Sequence, residues 1–146
     1  MLKSSLFTLA LAASAISADP TLSFYSDARQ GGKQSTCYAL IKLDRCYRIE
    51  RAVANTGLSS ASFFNKDLNL ENFSVTLYSG NGCNGRFDRW SFNRLYISTP
   101  YEIDYFRTLN DKVLSFKIEN RQISTTSGDA NADEERTYEP DCQITS

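Results

Sequence analysis

The stretch SVTLYSGNGCNGRF, Ser74–Phe87, decides how this chain is read. Val75, Leu77 and Tyr78 begin it like a half-buried strand. Gly80, Gly82 and Gly85, with Asn81, Cys83 and Asn84, then make a turn-rich segment before the apolar residues resume. A strand that closes on an aromatic, with a glycine seven positions on, suggests a hairpin folded back on itself. The ring would pack over the turn. The glycine would take a positive φ, which a residue carrying a Cβ adopts only at a cost.

The same pattern occurs earlier in the chain. FYSDARQGG (Phe24–Gly32) aligns with LYSGNGCNG (Leu77–Gly85), and six residues separate Tyr25 from Gly32 and Tyr78 from Gly85. About 55 residues separate NTGLSSASFFN (Asn55–Asn65) from NDKVLSFKIEN (Asn110–Asn120). Both open on Asn, carry a serine at the sixth place (Ser60, Ser115) and end in an apolar strand and Asn. Ordinary turns with aromatic neighbours would explain one copy. Two copies, each followed by its own serine-bearing strand, point to a duplicated unit of four strands. The predicted strands are Thr21–Ser26, Gln34–Leu40, Cys46–Arg51 and Ser60–Asn65, then Phe73–Tyr78, Arg86–Phe92, Tyr101–Phe106 and Val113–Glu119. Val, Ile, Phe, Tyr and Thr dominate them, and Gly, Asn, Asp or Ser separate most of them. Ala52–Ser59 reads as either a helical turn or a loop.

Residues 1–18 have the character of a secretory signal: Lys3, then the apolar run Leu6–Ile16, then small residues. Cleavage is expected after Ser17 or Ala18. The run is too short to span a bilayer, and no later segment is apolar enough to do so. The mature chain is therefore expected to be secreted, extracellular and soluble, as a monomer of one domain. Four cysteines in an exported chain imply two disulfides. Of the three pairings, spacing favours Cys37 with Cys46 and Cys83 with Cys142, the second tying down the tail. A zinc site is the weaker reading, because there is no CxxC pair and no histidine. From Ser127 on there are six acids and one base, which predicts a solvated acidic tail over 121–146. No basic stripe stands out, which argues against nucleic acid as a partner.

The Tyr25–Gly32–Ser60 and Tyr78–Gly85–Ser115 sets resemble the βγ-crystallin Greek-key motif: an aromatic, six residues, a glycine, and later a serine in the fourth strand. The resemblance covers roughly Thr21 to Asn120, with units at about 21–65 and 73–120, in a domain spanning 19–120. It implies an all-β fold in which two Greek keys form a β-sandwich. The core would be drawn from Leu22, Phe24, Ile49, Phe63, Val75, Leu77, Trp90, Ile103, Leu114, Phe116 and Ile118. Strand alternation cannot bury them all.

Many microbial members of that family bind calcium through Asn/Asp-Asn/Asp-x-x-Ser/Thr-Ser, one copy per Greek key. In the family's crossed arrangement, a carbonyl and a hydroxyl of one motif meet the carboxylate of the other. The two copies here are Asn55–Ser60 and Asn110–Ser115. Carried over residue by residue, one ligand set survives: the Gly57 carbonyl, the Ser59 hydroxyl and the Asp111 carboxylate. The other loses Thr56, which is not acidic, and Leu114, which has no ligand atom. A single carboxylate implies weak binding. The alternative is that Asn55 and Asn110 only form turns while the serines brace the hairpins.

Other motifs fail on inspection. Asp129, Asn131 and Asp133 open like an EF-hand loop, but Glu134 stands where glycine is needed and Pro140 where glutamate is needed. Gly31–Ser35 is not a phosphate loop, since Asp27 replaces the first glycine and Gln34 follows Lys33. The absence of histidine removes the usual Ser-His and Cys-His nucleophile pairs. Asp67, Glu71, Asp88 and Asp104 could serve as paired carboxylates, but they are scattered and read as ordinary surface acids. Catalysis is not expected. Asn72-Phe73-Ser74 is an N-glycosylation acceptor. Two functions follow. One is a secreted structural or stress protein, calcium-responsive through the surviving ligand set. The other is a secreted interaction protein with an unknown extracellular partner: killer-toxin-like, antimicrobial or protease-inhibitory. For the inhibitory form, Ser79–Asn84 would be the exposed loop.

Overall fold

The computed structural model describes residues 21–38, 42–64, 72–93, 101–131 and 133–145. Residues 1–18, read above as a secretory signal, and Asn65, Asp67 and Glu71 lie outside them. Eleven strands and one short helix follow in order among the described residues. They are β1 (Thr21–Tyr25), β2 (Gln34–Tyr38), β3 (Cys46–Arg48), α1 (Arg51–Ala54), β4 (Ser60–Phe64), β5 (Asn72–Tyr78), β6 (Gly85–Asn93), β7 (Tyr101–Ile103), β8 (Ser115–Glu119), β9 (Thr126–Ala130), β10 (Thr137–Tyr138) and β11 (Asp141–Thr145). Several strands are shorter than predicted: β3 stops at Arg48, β7 at Ile103, and β8 starts at Ser115. The stretch left open between helix and loop contains the single turn α1.

Two sheets pack as a β-sandwich, in the orders β11-β2-β1-β4-β7 and β10-β3-β8-β5-β6-β9. β3, the third strand of the first unit, pairs with β8 of the second unit. β7, the third strand of the second unit, pairs with β4 of the first. Each sheet is therefore built from three strands of one unit and one of the other, plus strands from the C-terminal segment. Alternation then fills the core. Leu22, Cys37 and Phe63 lie abreast in the first sheet, and so do Phe24, Ser35 and Ala61. Val75, Leu77, Phe116 and Ile118 face them from the second sheet, all fully buried. Aromatic pairs bridge the sheets: Phe24 to Phe116 at 5.8 Å between centroids and Phe63 to Phe73 at 5.0 Å. Burying such a ring stabilises the fold by about 1.5–3 kcal/mol. Of the expected core, Trp90 and Leu114 remain partly exposed. Tyr47, Val53, Leu58, Phe73, Phe106, Leu109 and Val113 complete it instead.

Both disulfides differ from the pairing that spacing favours: Cys37 joins Cys142, and Cys46 joins Cys83. The exchange of β3 between sheets is the cause. Cys37 stays in the first sheet on β2, while Cys46, nine residues on, is carried into the second. There Cys46 lies on the side of the sheet that receives the second hairpin and Cys83. Cys37 instead faces Cys142 directly across the β2–β11 ladder.

The C-terminal segment is not the solvated tail that its acids suggest. β9 pairs with β6, β10 with β3 and β11 with β2, so among the described residues the segment supplies three of the four sheet edges. Between β9 and β10 it crosses the second hairpin, where the Glu135 amide donates to the Gly82 carbonyl at 3.1 Å. The Lys117 ammonium pairs there with the Glu135 carboxylate at 2.5 Å. The segment is a belt around the sandwich. An edge strand needs only its backbone groups to pair, so it can be polar and charged along its length.

The quoted stretch forms the expected hairpin, and its earlier copy forms the same one. The amides of Lys33 and Arg86 donate to the hydroxyls of Ser26 and Ser79, each at 2.9 Å. Ser60 Oγ donates to the Asp27 carbonyl at 2.6 Å and accepts from the Gln30 amide at 3.0 Å. Ser115 Oγ does the same with the Gly80 carbonyl at 2.5 Å and the Cys83 amide at 3.0 Å. Gly32 and Gly85 have φ of +74° and +78°. A Cβ on Gly32 would collide with Ser26 Oγ, and one on Gly85 would lie 2.8 Å from Ser79 Oγ. Tyr78 is buried beside Cys46 and Cys83 and packs on Phe87 at 6.2 Å, whereas Tyr25 is half-buried and reaches Ser62 Oγ at 3.2 Å. Gly85→Ala should therefore cost about 1 kcal/mol or more. A denaturant melt will read this as a lowered midpoint with an unchanged slope; an unchanged midpoint would contradict the strain at this turn.

Candidate functional site

The strand exchange brings the end of the first unit's α1 loop against the loop that precedes β8 in the second. Val53, buried on α1, and Leu58 anchor the first loop in the core. Leu109 and Val113 anchor the second. Between these anchors the Asp111 amide donates to the Leu58 carbonyl at 2.9 Å, which fixes the register of one loop on the other. Asp111 sits at φ +59°, a left-handed conformation that aspartate tolerates better than most residues. Ser59 is held through its backbone, its amide donating to the Tyr25 carbonyl at 2.9 Å and its carbonyl accepting from the Phe106 amide at 2.8 Å.

Gly57, Ser59 and Asp111 therefore meet. Ser59 Oγ donates to Asp111 Oδ1 over a long 3.5 Å, and the Asn110 side-chain amide donates to Oδ2 at 3.2 Å. Gly57 has φ +75°, and a Cβ there would lie 3.0 Å from Asp111 Oδ1. Glycine thus keeps the approach to the carboxylate open. The donors are oxygens of a hydroxyl and an exposed carboxylate, with peptide carbonyls nearby, a set suited to a hard cation. No group of three His, Cys, Asp or Glu side chains capable of holding a metal occurs among the described residues. The charge available at this site is that of one carboxylate.

The complementary position differs. The Thr56 hydroxyl donates to the Val53 carbonyl at 2.7 Å and so closes the end of α1 rather than facing the other unit. Leu114 lines a cavity of about 700 Å³ with Arg48, Arg51, Asn55, Asn81 and Glu139. The Arg48 guanidinium is paired there with the Glu139 carboxylate.

The remaining sequence candidates do not converge. Asp104 is exposed, and its carbonyl accepts from the Arg29 amide at 2.7 Å. Asp88, read as a surface acid, is fully buried. Its Oδ1 accepts from Thr108 Oγ1 at 2.9 Å and Ser127 Oγ at 2.5 Å. Its Oδ2 accepts from the amides of Thr108 at 2.8 Å and Leu109 at 3.1 Å. Burial pushes this carboxyl up, but the donors from Ser127, Thr108 and Leu109 outweigh it and hold it below the usual carboxylate range. Asp88 pairs with Leu77 across the β5–β6 ladder, on the inward face with Trp90. An acid at an inward strand position is the sequence signal that could have found it. Burial also pushes the Tyr78 hydroxyl up, against the opposing pull of Lys117.

Ser79–Asn84 is not a protruding loop. Cys83 is buried in its disulfide, and the belt covers Gly82, where a Cβ would lie 2.8 Å from that of Glu134. Asn72 is exposed at the start of β5, while Ser74 of the same triplet is buried and exchanges hydrogen bonds with the Arg121 carbonyl at 2.9 Å and the Ile123 amide at 2.8 Å. Two disulfides fit an oxidising compartment. No helix among the described residues is long and apolar enough to cross a membrane. No protein-family model, curated protein or solved structure matches this chain.

Proposed function

We propose that this chain is a small secreted, non-enzymatic βγ-crystallin-like protein with a structural or stress role, stiffened by weak calcium binding between its two Greek keys. One observation carries the reading: each unit lends its third strand to the other unit's sheet, and that crossing sets Ser59 of the first unit beside Asp111 of the second. The doubled serine-locked hairpins support it. An ion held by the Gly57 carbonyl, Ser59 and Asp111 would clip the units together across their loops.

A ligand that binds only the folded state stabilises it by RT ln(1 + [L]/Kd), about 2.7 kcal/mol at a hundredfold excess over Kd. Millimolar calcium should therefore raise the melting temperature. Magnesium should raise it less, because it demands tighter octahedral geometry. Asp111→Asn keeps an oxygen but loses the charge, and should weaken the response. Thr56→Asn should leave it nearly unchanged, because Thr56 is engaged with Val53. Calorimetric titration of the mature protein is the direct test. The absence of both heat and thermal shift would leave Asn55, Ser59, Asn110 and Asp111 with a structural role alone.

A further inference from the structure

We infer that the Cys37–Cys142 disulfide is a latch that a dithiol reductant opens to release strand β11 while the rest of the sandwich stays folded. β11 is an edge strand, hydrogen-bonded to β2 alone. Its described side chains, those of residues 142–144, do little to hold it. Gln143 is exposed, Ile144 is 46% exposed, and Ser35 opposite Ile144 has a buried hydroxyl without a hydrogen-bond partner. Cys142, half-buried and packed on the core, is the exception among its described side chains. The strand is thus held by its ladder and by one covalent bond near the end of the chain. Edge strands with few buried contacts open locally at low free energy. Such an opening presents the Cys142 sulfur to a reductant.

The second disulfide is placed differently. Cys46 and Cys83 are buried, packed with Tyr78, and covered by the belt at Gly82. Reaching it requires the hairpin, the belt crossing and β3 to separate together. The two bonds are therefore expected to reduce in sequence.

The chemistry balances as a thiol–disulfide exchange. A thiolate of the dithiol attacks Sγ of Cys142, the S–S bond breaks, and Cys37 leaves as a thiolate that takes up a proton. The second thiol of the reductant attacks the mixed disulfide and frees the Cys142 thiol. Two electrons pass to the protein, and the reductant becomes a cyclic disulfide. Cys37 then remains as a buried thiol, which packs like a small apolar side chain. β2 becomes the new edge, with Gln34–Tyr38 exposing its unpaired backbone groups.

The test treats the full-length mature protein with dithiothreitol under native conditions, with timed alkylation and peptide mapping, and follows backbone hydrogen exchange in parallel. In samples quenched at timed points into acid, then denatured and alkylated, Cys37 and Cys142 should appear as free thiols at least about tenfold faster than Cys46 and Cys83. The amides of 141–145 should lose at least about tenfold in protection while those of β5 and β8 keep theirs. The variant C37A/C142A should be folded, with the open-strand exchange pattern before any reductant is added. Simultaneous reduction of both disulfides, retained protection of β11 after selective reduction, or an unfolded C37A/C142A would each overturn the latch.

Discussion

Asp88→Ala should destabilise the protein by about 3 kcal/mol or more, and Asp88→Asn by roughly half as much. The carboxylate is fully buried and takes four hydrogen bonds from two places: the loop before the second unit's motif, through Thr108 and Leu109, and the belt, through Ser127. Alanine leaves the two loop amides buried without an acceptor, and such groups cost about 1–3 kcal/mol each. Asparagine can keep its oxygen on those amides and turn its amide group toward the hydroxyls of Thr108 and Ser127, which can accept. It loses the charge but not the connections. The pH dependence follows from the same geometry. The folded-state pKa of Asp88 lies below its unfolded value of about 3.9, so its contribution is complete above that value and is lost as pH falls through the depressed folded pKa. Urea melts of the wild type and Asp88→Asn between about pH 2 and pH 6 check this, because the variant should lack that share of the acid loss. Parallel acid limbs would mean that the carboxylate is not the ionised partner in this network.

The parts of the fold legible in the sequence are those governed by local geometry. Tyr78, Gly85 and Ser115, and Tyr25, Gly32 and Ser60 before them, mark two hairpins because a positive φ favours glycine and the folded turn is held by a hydroxyl. Alternation placed Phe24, Val75, Leu77 and Phe116 in the core. What stayed hidden depends on contacts far apart in the chain. Nothing local to Cys46 says that β3 will leave its own unit's sheet, so sequence proximity paired it with Cys37 and was wrong. Asp88 looked like surface because an inward carboxylate becomes favourable only once Thr108 and Ser127, 20 and 39 positions away, supply donors. At the candidate site, Ser59 and Asp111 could be matched by motif. The engagement of Thr56 with Val53 and the cover over Gly82 could not, since both are set by backbone paths. The belt was hidden for a further reason. Hydrophobic pattern reports burial of side chains, and an edge strand is held mainly by its amides and carbonyls.

A chain ended at Asn120 should show how much those amides and carbonyls contribute. Were residues 121–146 a solvated tail, the truncation would be nearly neutral. As a belt, the segment covers β6 with five residue pairs of β9, β3 with two of β10 and β2 with five of β11. Its loss uncovers all three edges at once. It also removes Ser127 from Asp88, the Arg121 and Ile123 partners of Ser74, and the Glu135 amide from Gly82. Cys37 loses its disulfide as well. Several kcal/mol of a total that is typically about 5–15 kcal/mol would go, which corresponds to a fall in melting temperature of roughly 15–25 °C for a domain of this size. Three open edges, each with free backbone groups, are also templates for pairing between molecules, so the truncated protein should self-associate. A chain ended at Pro140 isolates the last step: it uncovers β2 alone and keeps β9, β10 and the Glu135 contact. It should remain folded and monomeric at micromolar concentration, with a smaller fall in midpoint. Circular dichroism melts and size-exclusion chromatography with light scattering on the two truncations will rank them. If the chain ended at Asn120 melted with the full-length protein and eluted as a monomer, the belt would be contributing nothing, and the sandwich would owe its closure to the two repeated units alone.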